Sequence, residues 1–167
     1  MDSITIIAGV IIILIILVFF INTNSNKKKK ESQFLQPLFA LAEKNNCKIS
    51  KYDRWNNSII GIDEDSNLVF NISKINEVET VQQINLADIQ KCRIFESSRT
   101  VGIEKSSMKV VDKIELAFVK RDKNKPDTIV SFYNSDYDRL TLSGEIQLTD
   151  KWCKIANDKI AEIVKIK

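Results

Sequence analysis

The strongest pattern along the chain is an apolar run near its start, Ile4 to Ile21. Its eighteen residues include no charged side chain. As a helix rising about 1.5 Å per residue, the run reaches roughly 27 Å, close to the hydrocarbon thickness of a bilayer. A buried core helix would keep a polar stripe, and this run has none. The pattern predicts a transmembrane helix, preceded by a short extracytoplasmic tail of residues 1–3.

A cleaved signal peptide is the alternative interpretation of this run. Signal peptides carry positive charge before the apolar core and small residues at a cleavage site after it. Here Asp2 is the charged side chain before the run, and the polar sequence NTNSN follows it. An uncleaved anchor is therefore favoured, and cleavage stays open.

A basic linker, residues 22–31, follows the run and contains four consecutive lysines: Lys27, Lys28, Lys29 and Lys30. Positive charge beside a span stays on the cytoplasmic side. The cluster therefore predicts a single-pass protein of the cell (inner) membrane, with its N-terminus outside and its domain in the cytoplasm. The lipid bilayer would be one partner, and the lysines would also attract anionic headgroups.

The next segment, residues 32–46, has apolar side chains at steps of three and four residues. This spacing predicts an amphipathic helix, which Ser32 can cap at its start. A helix just beyond a span can lie on the membrane surface. Its polar face has no row of lysines, so packing against the protein is favoured.

From Cys47 the apolar period changes to two and stays so for about ninety residues, which predicts short antiparallel strands. The acidic stretch Asp63–Asn67 between two apolar runs predicts a hairpin turn. The expected strands are residues 49–55, 58–62, 68–72, 80–86, 89–96, 109–120 and 128–133.

A second amphipathic helix is predicted at the end of the chain, with Thr149 or Asp150 as the cap at its start. We expect it to close the sheets as a core plug. A free helix that awaits a partner is the alternative. Its single apolar stripe consists of Trp152, Ile155, Ala156, Ile160, Ile163 and Val164.

Residues 47–167 resemble bacterial pleckstrin-homology-like domains in the order of NLVFNIS, INLADIQKCRIFES, KIELAFVKRDKNKPDTIVSFY and TDKWCKIANDKI. The resemblance implies an α+β, mainly β fold, in which a small antiparallel two-sheet barrel is closed by a C-terminal helix. It also implies a binding platform for phosphoinositides, peptides or proteins. In that family, basic residues around the first hairpin loop meet the ligand phosphates. The corresponding loop, Gly61–Asn67, is acidic here and would repel them.

The net charge of +3 comes entirely from the four lysines and Asp2, so residues 31–167 are neutral. A neutral domain is a poor candidate for binding nucleic acid. The most cationic stretch ends in Arg121, Lys123 and Lys125, a possible anion or partner patch. A solvated hairpin tip explains the same side chains.

Catalytic and metal chemistry finds little support in the sequence. The chain has no histidine, which excludes Ser-His-Asp and Cys-His catalytic sites and histidine-ligated metals. The spacing Asp63-x-Asp65-x-Asn67 resembles the opening of a calcium loop but lacks the glutamate at its twelfth position. Neither an enzyme nor a cofactor or metal is expected. The three cysteines, Cys47, Cys92 and Cys153, are predicted to be buried free thiols.

The favoured function is a membrane-tethered scaffolding module at the cytoplasmic face, which docks a protein partner or self-associates. The alternative is a membrane-anchored domain that binds a lipid or another small ligand.

Overall fold

The structure is a computed structural model that describes residues 35–102, 108–138 and 141–166. The chain divides into two compact units, Met1–Pro37 and Leu38–Lys167. The second unit holds two antiparallel sheets and a C-terminal helix.

The first sheet has four strands that neighbour each other in chain order. They are β1 (Lys51–Trp55), β2 (Ser58–Asp63), β3 (Leu68–Ile75) and β4 (Val78–Asn85). The predicted hairpin around Asp63–Asn67 is confirmed, because β2 pairs with β3 across this turn. β3 and β4 are joined through Asn76 and Glu77, whose φ angles of 48° and 65° identify a type I′ turn.

The second sheet has three strands, also in chain order. They are β5 (Ile89–Val101), β6 (Met108–Lys120) and β7 (Thr128–Asn134). A 3-10 turn, Leu86–Asp88, connects the two sheets. β5 continues five residues past the predicted end at Glu96 and forms a long hairpin with β6.

The prediction of a closed barrel is wrong. Among the described residues, strand pairing stays within each sheet, and no ladder joins β4 to β7 or β1 to β5. Side chains bridge the sheets instead: the Gln82 amide on β4 donates to the Ile129 carbonyl on β7 at 3.0 Å. A polar side chain thus spans a gap that backbone pairing would have closed.

The hydrophobic core lies between the sheets and the C-terminal helix. Successive side chains of a strand point to opposite faces of its sheet, and the apolar ones on the inner faces form this core. The rings of Trp55 on β1 and Phe132 on β7 stack with centroids 4.3 Å apart and planes 3° from parallel. The other large side chains of this core include Ile60, Ile62, Val69, Ile84, Leu86, Ile114, Leu116, Phe118 and Trp152.

A helix, α1, occupies residues 35–44, and the start of the predicted segment (32–34) lies outside the described residues. Leu38 and Ala42 are buried, as expected for a helix packed on protein. A Cβ at Gly61 on β2 would lie 2.9 Å from Leu38 Cδ2, so a larger residue there would force the Leu38 side chain to move.

The C-terminal helix α2 spans Glu145–Ile166 and begins earlier than predicted. The Glu145 carboxylate accepts the Ser143 N–H and forms the start of the helix. Thr149, a predicted cap, is instead inside α2, and its hydroxyl donates to the Glu145 carbonyl at 2.7 Å. Trp152 and Ala156 are buried in the core, which confirms the core plug over the free helix.

The membrane predictions need correction. In the chain as described, no helix is both long and apolar enough to cross a membrane. α2, the longest helix of this part, has lysines and acids among its apolar residues. This finding contradicts the transmembrane helix and a single-pass inner-membrane protein with a cytoplasmic domain. The run Ile4–Ile21 and the cluster Lys27–Lys30 lie outside the described residues.

Candidate functional site

The predicted basic patch lies in the loop between β6 and β7. Arg121, Lys123 and Lys125 are all exposed there. The Arg121 side chain is held against the protein by a hydrogen bond, in which its Nε donates to the Ala87 carbonyl at 3.0 Å. Lys123 and Lys125 have no ion-pair partner within the described ranges. The anion or partner patch stays a prediction.

The acids of the first hairpin loop serve the loop itself. Asp63, which is 3% exposed, accepts N–H groups of Lys48, Asp65 and Ser66 at 2.8 to 3.0 Å. Burial favours the neutral acid, but these hydrogen bonds outweigh it and lower the pKa of Asp63 from 3.8 to about 2. No cluster of metal-ligating side chains is found in the described part of the chain.

The thiols are less uniform than predicted. Cys92 is buried, whereas Cys47 and Cys153 are partly exposed, and all three are free. Burial raises the pKa of Cys92, and the neighbouring Cys153 adds to this shift. Burial also raises the pKa of Cys153. A thiol with a raised pKa is a poor nucleophile, so neither one is a candidate for catalysis.

A small polar cleft opens between the two sheets. Its volume of about 110 Å³ is well below the roughly 300 Å³ at which ligand pockets begin. Burial raises the pKa of Asp138 in its wall, against a hydrogen bond from the Asn134 N–H. The cleft has room for a few waters or one small polar group. Its walls include Asn57, Ser58, Lys74, Ser131, Tyr137 and Asp138.

The border of the second sheet at β5 presents unused backbone groups. Among the described strands, β5 pairs with β6 alone. Backbone groups point alternately to either side of a strand. Those of Cys92 point away from β6, because both bond to a side chain of α2. The amides and carbonyls of Ile94 and Glu96 therefore point outward too, and no described residue binds them.

The side chain that binds Cys92 is the amide of Asn157. Its Oδ1 accepts the Cys92 N–H at 2.9 Å, and its Nδ2 donates to the Cys92 carbonyl at 2.8 Å. A residue of a neighbouring antiparallel strand would exchange the same two hydrogen bonds. Asn157 thus covers the border at one position, and its bonds show that β5 presents outward groups in a geometry that a strand can use.

The uncovered border is short, and we name residues 93–97 the edge segment. Cys92, bound by Asn157, limits it at one end. At the other end the pairing with β6 shifts register between Ser97 and Ser98, where Asp112 is the extra residue. Such a bulge bends the strand and interrupts regular pairing.

The edge segment carries apolar side chains on both faces of the sheet. Ile94 is 37% exposed, and Phe95, which points to the opposite face, is 55% exposed. The Arg93 guanidinium lies 5.6 Å from the centre of the Phe95 ring. Glu96 pairs with Lys109 on β6 at 2.9 Å. A partner strand would therefore meet the apolar side chains of Ile94 and Phe95. The charged groups beside them, Arg93 and Glu96, already have contacts within the chain.

Sequence reasoning missed the edge segment and Asn157. It ended β5 at Glu96 and gave this strand no role. One usable signal was Asn157 itself, a polar residue directly after the buried Ala156 of the apolar stripe. Its partner was not predictable, because the contact depends on how α2 lies beside β5.

No protein-family model, curated protein or solved structure matches this chain. The resemblance to pleckstrin-homology-like domains rests on element order and apolar pattern, and it stays a prediction.

Proposed function

We propose that this chain is a protein-binding module, which takes an extended segment of a partner protein as an added strand along β5. In strand addition, backbone hydrogen bonds provide affinity and neighbouring side chains provide specificity. The carrying observation is the outward-pointing backbone of Ile94 and Glu96, next to a position that Asn157 fills in the manner of a strand.

The other sheet borders favour this role less. On β7, the Gln82 amide already occupies the Ile129 carbonyl. On β1, the Asp53 carboxylate accepts from Trp152 and Lys151 of α2, which places a helix beside this strand. β4 is open, but it has eight residues against thirteen in β5 and exposes no aromatic side chain. The pleckstrin-homology-like resemblance also supports a binding platform.

A proline at Glu96 tests the proposal. An edge strand tolerates proline at a position whose N–H would point to solvent. The Glu96 amide points away from β6, so the β5–β6 ladder should persist. Peptides would first be selected on the full chain from a random phage-displayed library. Their affinity for the Glu96→Pro chain should fall by about tenfold, since one backbone hydrogen bond is lost. Hydrogen exchange should show that bound peptide protects the Ile94 and Glu96 amides.

Glu79→Pro on β4 is the matched control. The type I′ turn pairs Ile75 with Val78, so the amide of Glu79 points away from β3. This variant makes the same substitution on the other open border and should leave peptide affinity unchanged. The proposal fails if the library yields no binder, or if the selected peptides bind the Glu96→Pro chain as tightly as the parent.

A further inference from the structure

We propose that the strand added at the edge segment is β5 of a second copy of this chain, antiparallel and centred on Phe95. The inference rests on the proposed function, because both use the same border of the sheet. It adds the identity of the partner and the register of pairing.

The limits of the edge segment set the centre of pairing. On one side, Asn157 occupies the outward backbone groups of Cys92. On the other side, the β6 bulge at Asp112 follows the pairing of Ser97. The residue midway between these limits is Phe95. A strand that pairs antiparallel with an identical strand does so about a two-fold axis, and such an isologous contact closes on itself as a dimer.

Centred on Phe95, each copy places Ile94 opposite Glu96 of the other. Both residues direct their amide and carbonyl outward, so the pair exchanges two backbone hydrogen bonds. The two-fold axis generates a second, equivalent Ile94–Glu96 pair. Phe95 faces Phe95 of the second copy at a non-hydrogen-bonded position, where opposing side chains come closest.

Neighbouring registers fit less well. Moving the centre to Glu96 sets two carboxylates directly opposite each other, which is destabilising. Moving it to Ile94 sets Glu96 opposite Cys92, whose outward groups Asn157 already occupies. Only the register centred on Phe95 uses both free positions and avoids facing like charges.

The side chains and the overall charge agree with a second copy as the occupant. Phe95 is 55% exposed, and pairing would remove its ring from water against an identical ring. Arg93 already lies 5.6 Å from the Phe95 ring and would flank the aromatic pair. Residues 31–167, which include the edge segment, carry no net charge, so this part of the chain adds no net repulsion between copies.

Cysteine crosslinking tests both the partner and the register. In the full-length Phe95→Cys chain, opposing thiols at the two-fold axis should form a disulfide between copies. Two thiols are oxidised, and added glutathione disulfide is reduced to two glutathiones. Peptide mass spectrometry should identify the 95–95 link. Val81→Cys, exposed on the open border of β4, is the matched control and should give little self-linked product.

Sedimentation of the unmodified sequence complements the crosslink. The parent should show a concentration-dependent dimer, and Glu96→Pro should weaken its dissociation constant at least tenfold, whereas Glu79→Pro should not. A parent that stays monomeric, together with a Phe95→Cys chain that gives no 95–95 link, overturns the second copy as partner. If its selected peptides still lose affinity in Glu96→Pro, the proposed function survives. Peptides indifferent to Glu96→Pro overturn both proposals.

Discussion

The carboxylate of Asp63 organises the turn between β2 and β3. Its oxygens accept backbone N–H groups from Lys48, Asp65 and Ser66, and also the Ser66 hydroxyl. The spacing of acids that resembled a calcium loop is thus explained by an aspartate that satisfies its own turn. A buried acceptor with several donors is costly to remove, because the donors then lack partners.

Replacing Asp63 by asparagine should lower the free energy of unfolding by roughly 1–3 kcal/mol at neutral pH. The pKa of Asp63 is held at about 2, below its ordinary 3.8, so its contribution is complete above pH 4 and is lost as pH falls through 2. Urea unfolding of the parent from pH 7 to pH 2 should show this loss, and Asp63→Asn should show less of it.

Glu64→Gln is the control for this experiment. Glu64 follows Asp63 in the chain. Its carboxylate lies 2.7 Å from the Lys51 Nζ, and this ion pair is exposed to solvent. Exposed ion pairs contribute about 0–1 kcal/mol, so this variant should unfold nearly as the parent does. Equal losses in the two variants would contradict a special role for Asp63.

At the scale of elements, the sequence predicted those parts whose apolar period is visible. The hairpin of β2 and β3 and the stripe of α2 have one face buried, so their side chains alternate with the period of the element. The distal half of β5 pairs with β6 alone and is exposed on both faces. Its sequence, ESSRTV, therefore carries no such period, and its extent was missed.

Capping explains the misplaced start of α2. Thr149 followed by Asp150 and an apolar stripe has the composition of a helix start. The actual first turn is held by Glu145, whose carboxylate accepts the N–H of Ser143, two residues earlier. Gly144, with φ of +114°, takes the chain into the helix. The apolar pattern does not reveal this arrangement, because it depends on a hydrogen bond between the Glu145 side chain and the backbone N–H of Ser143.

Truncating Asn157 to alanine should loosen the contact between α2 and β5. Two bonds to the Cys92 backbone are lost, so the Cys92 amide should exchange with solvent faster, and stability should fall by about 1–2 kcal/mol. Hydrogen exchange read by mass spectrometry measures the first effect. Asp158→Ala, at an exposed neighbouring position, should change neither. An unchanged Cys92 amide in Asn157→Ala would contradict this role.

At the scale of the whole molecule, the described parts of the two sheets are joined by side chains rather than by strand pairing. Trp55 stacks on Phe132, and Trp152 donates to Asp53 on β1 at 2.9 Å. The sequence placed Trp152 on the apolar stripe of the last helix, but it predicted none of these pairs, because they depend on how the sheets face each other. The same limitation led to the mistaken closed barrel.

Trp55→Ala should therefore weaken the whole fold. Removing a large buried ring typically costs about 3–5 kcal/mol. Trp55→Phe retains an aromatic ring for Phe132 and should cost clearly less. Denaturant unfolding with near-ultraviolet circular dichroism measures both. A loss below about 1 kcal/mol in Trp55→Ala would show that the stack does not hold the sheets together.

Asn157 has a consequence for solubility. A long uncovered strand border is a template for cross-β fibres, in which each chain adds to the last. By occupying Cys92, the Asn157 amide shortens the border that one molecule offers to another. Fibre growth, in which each added chain binds the next, is thereby disfavoured relative to a closed dimer. The Asn157→Ala chain should accordingly bind thioflavin T sooner than the parent on prolonged incubation, and a simultaneous onset would contradict this protective effect.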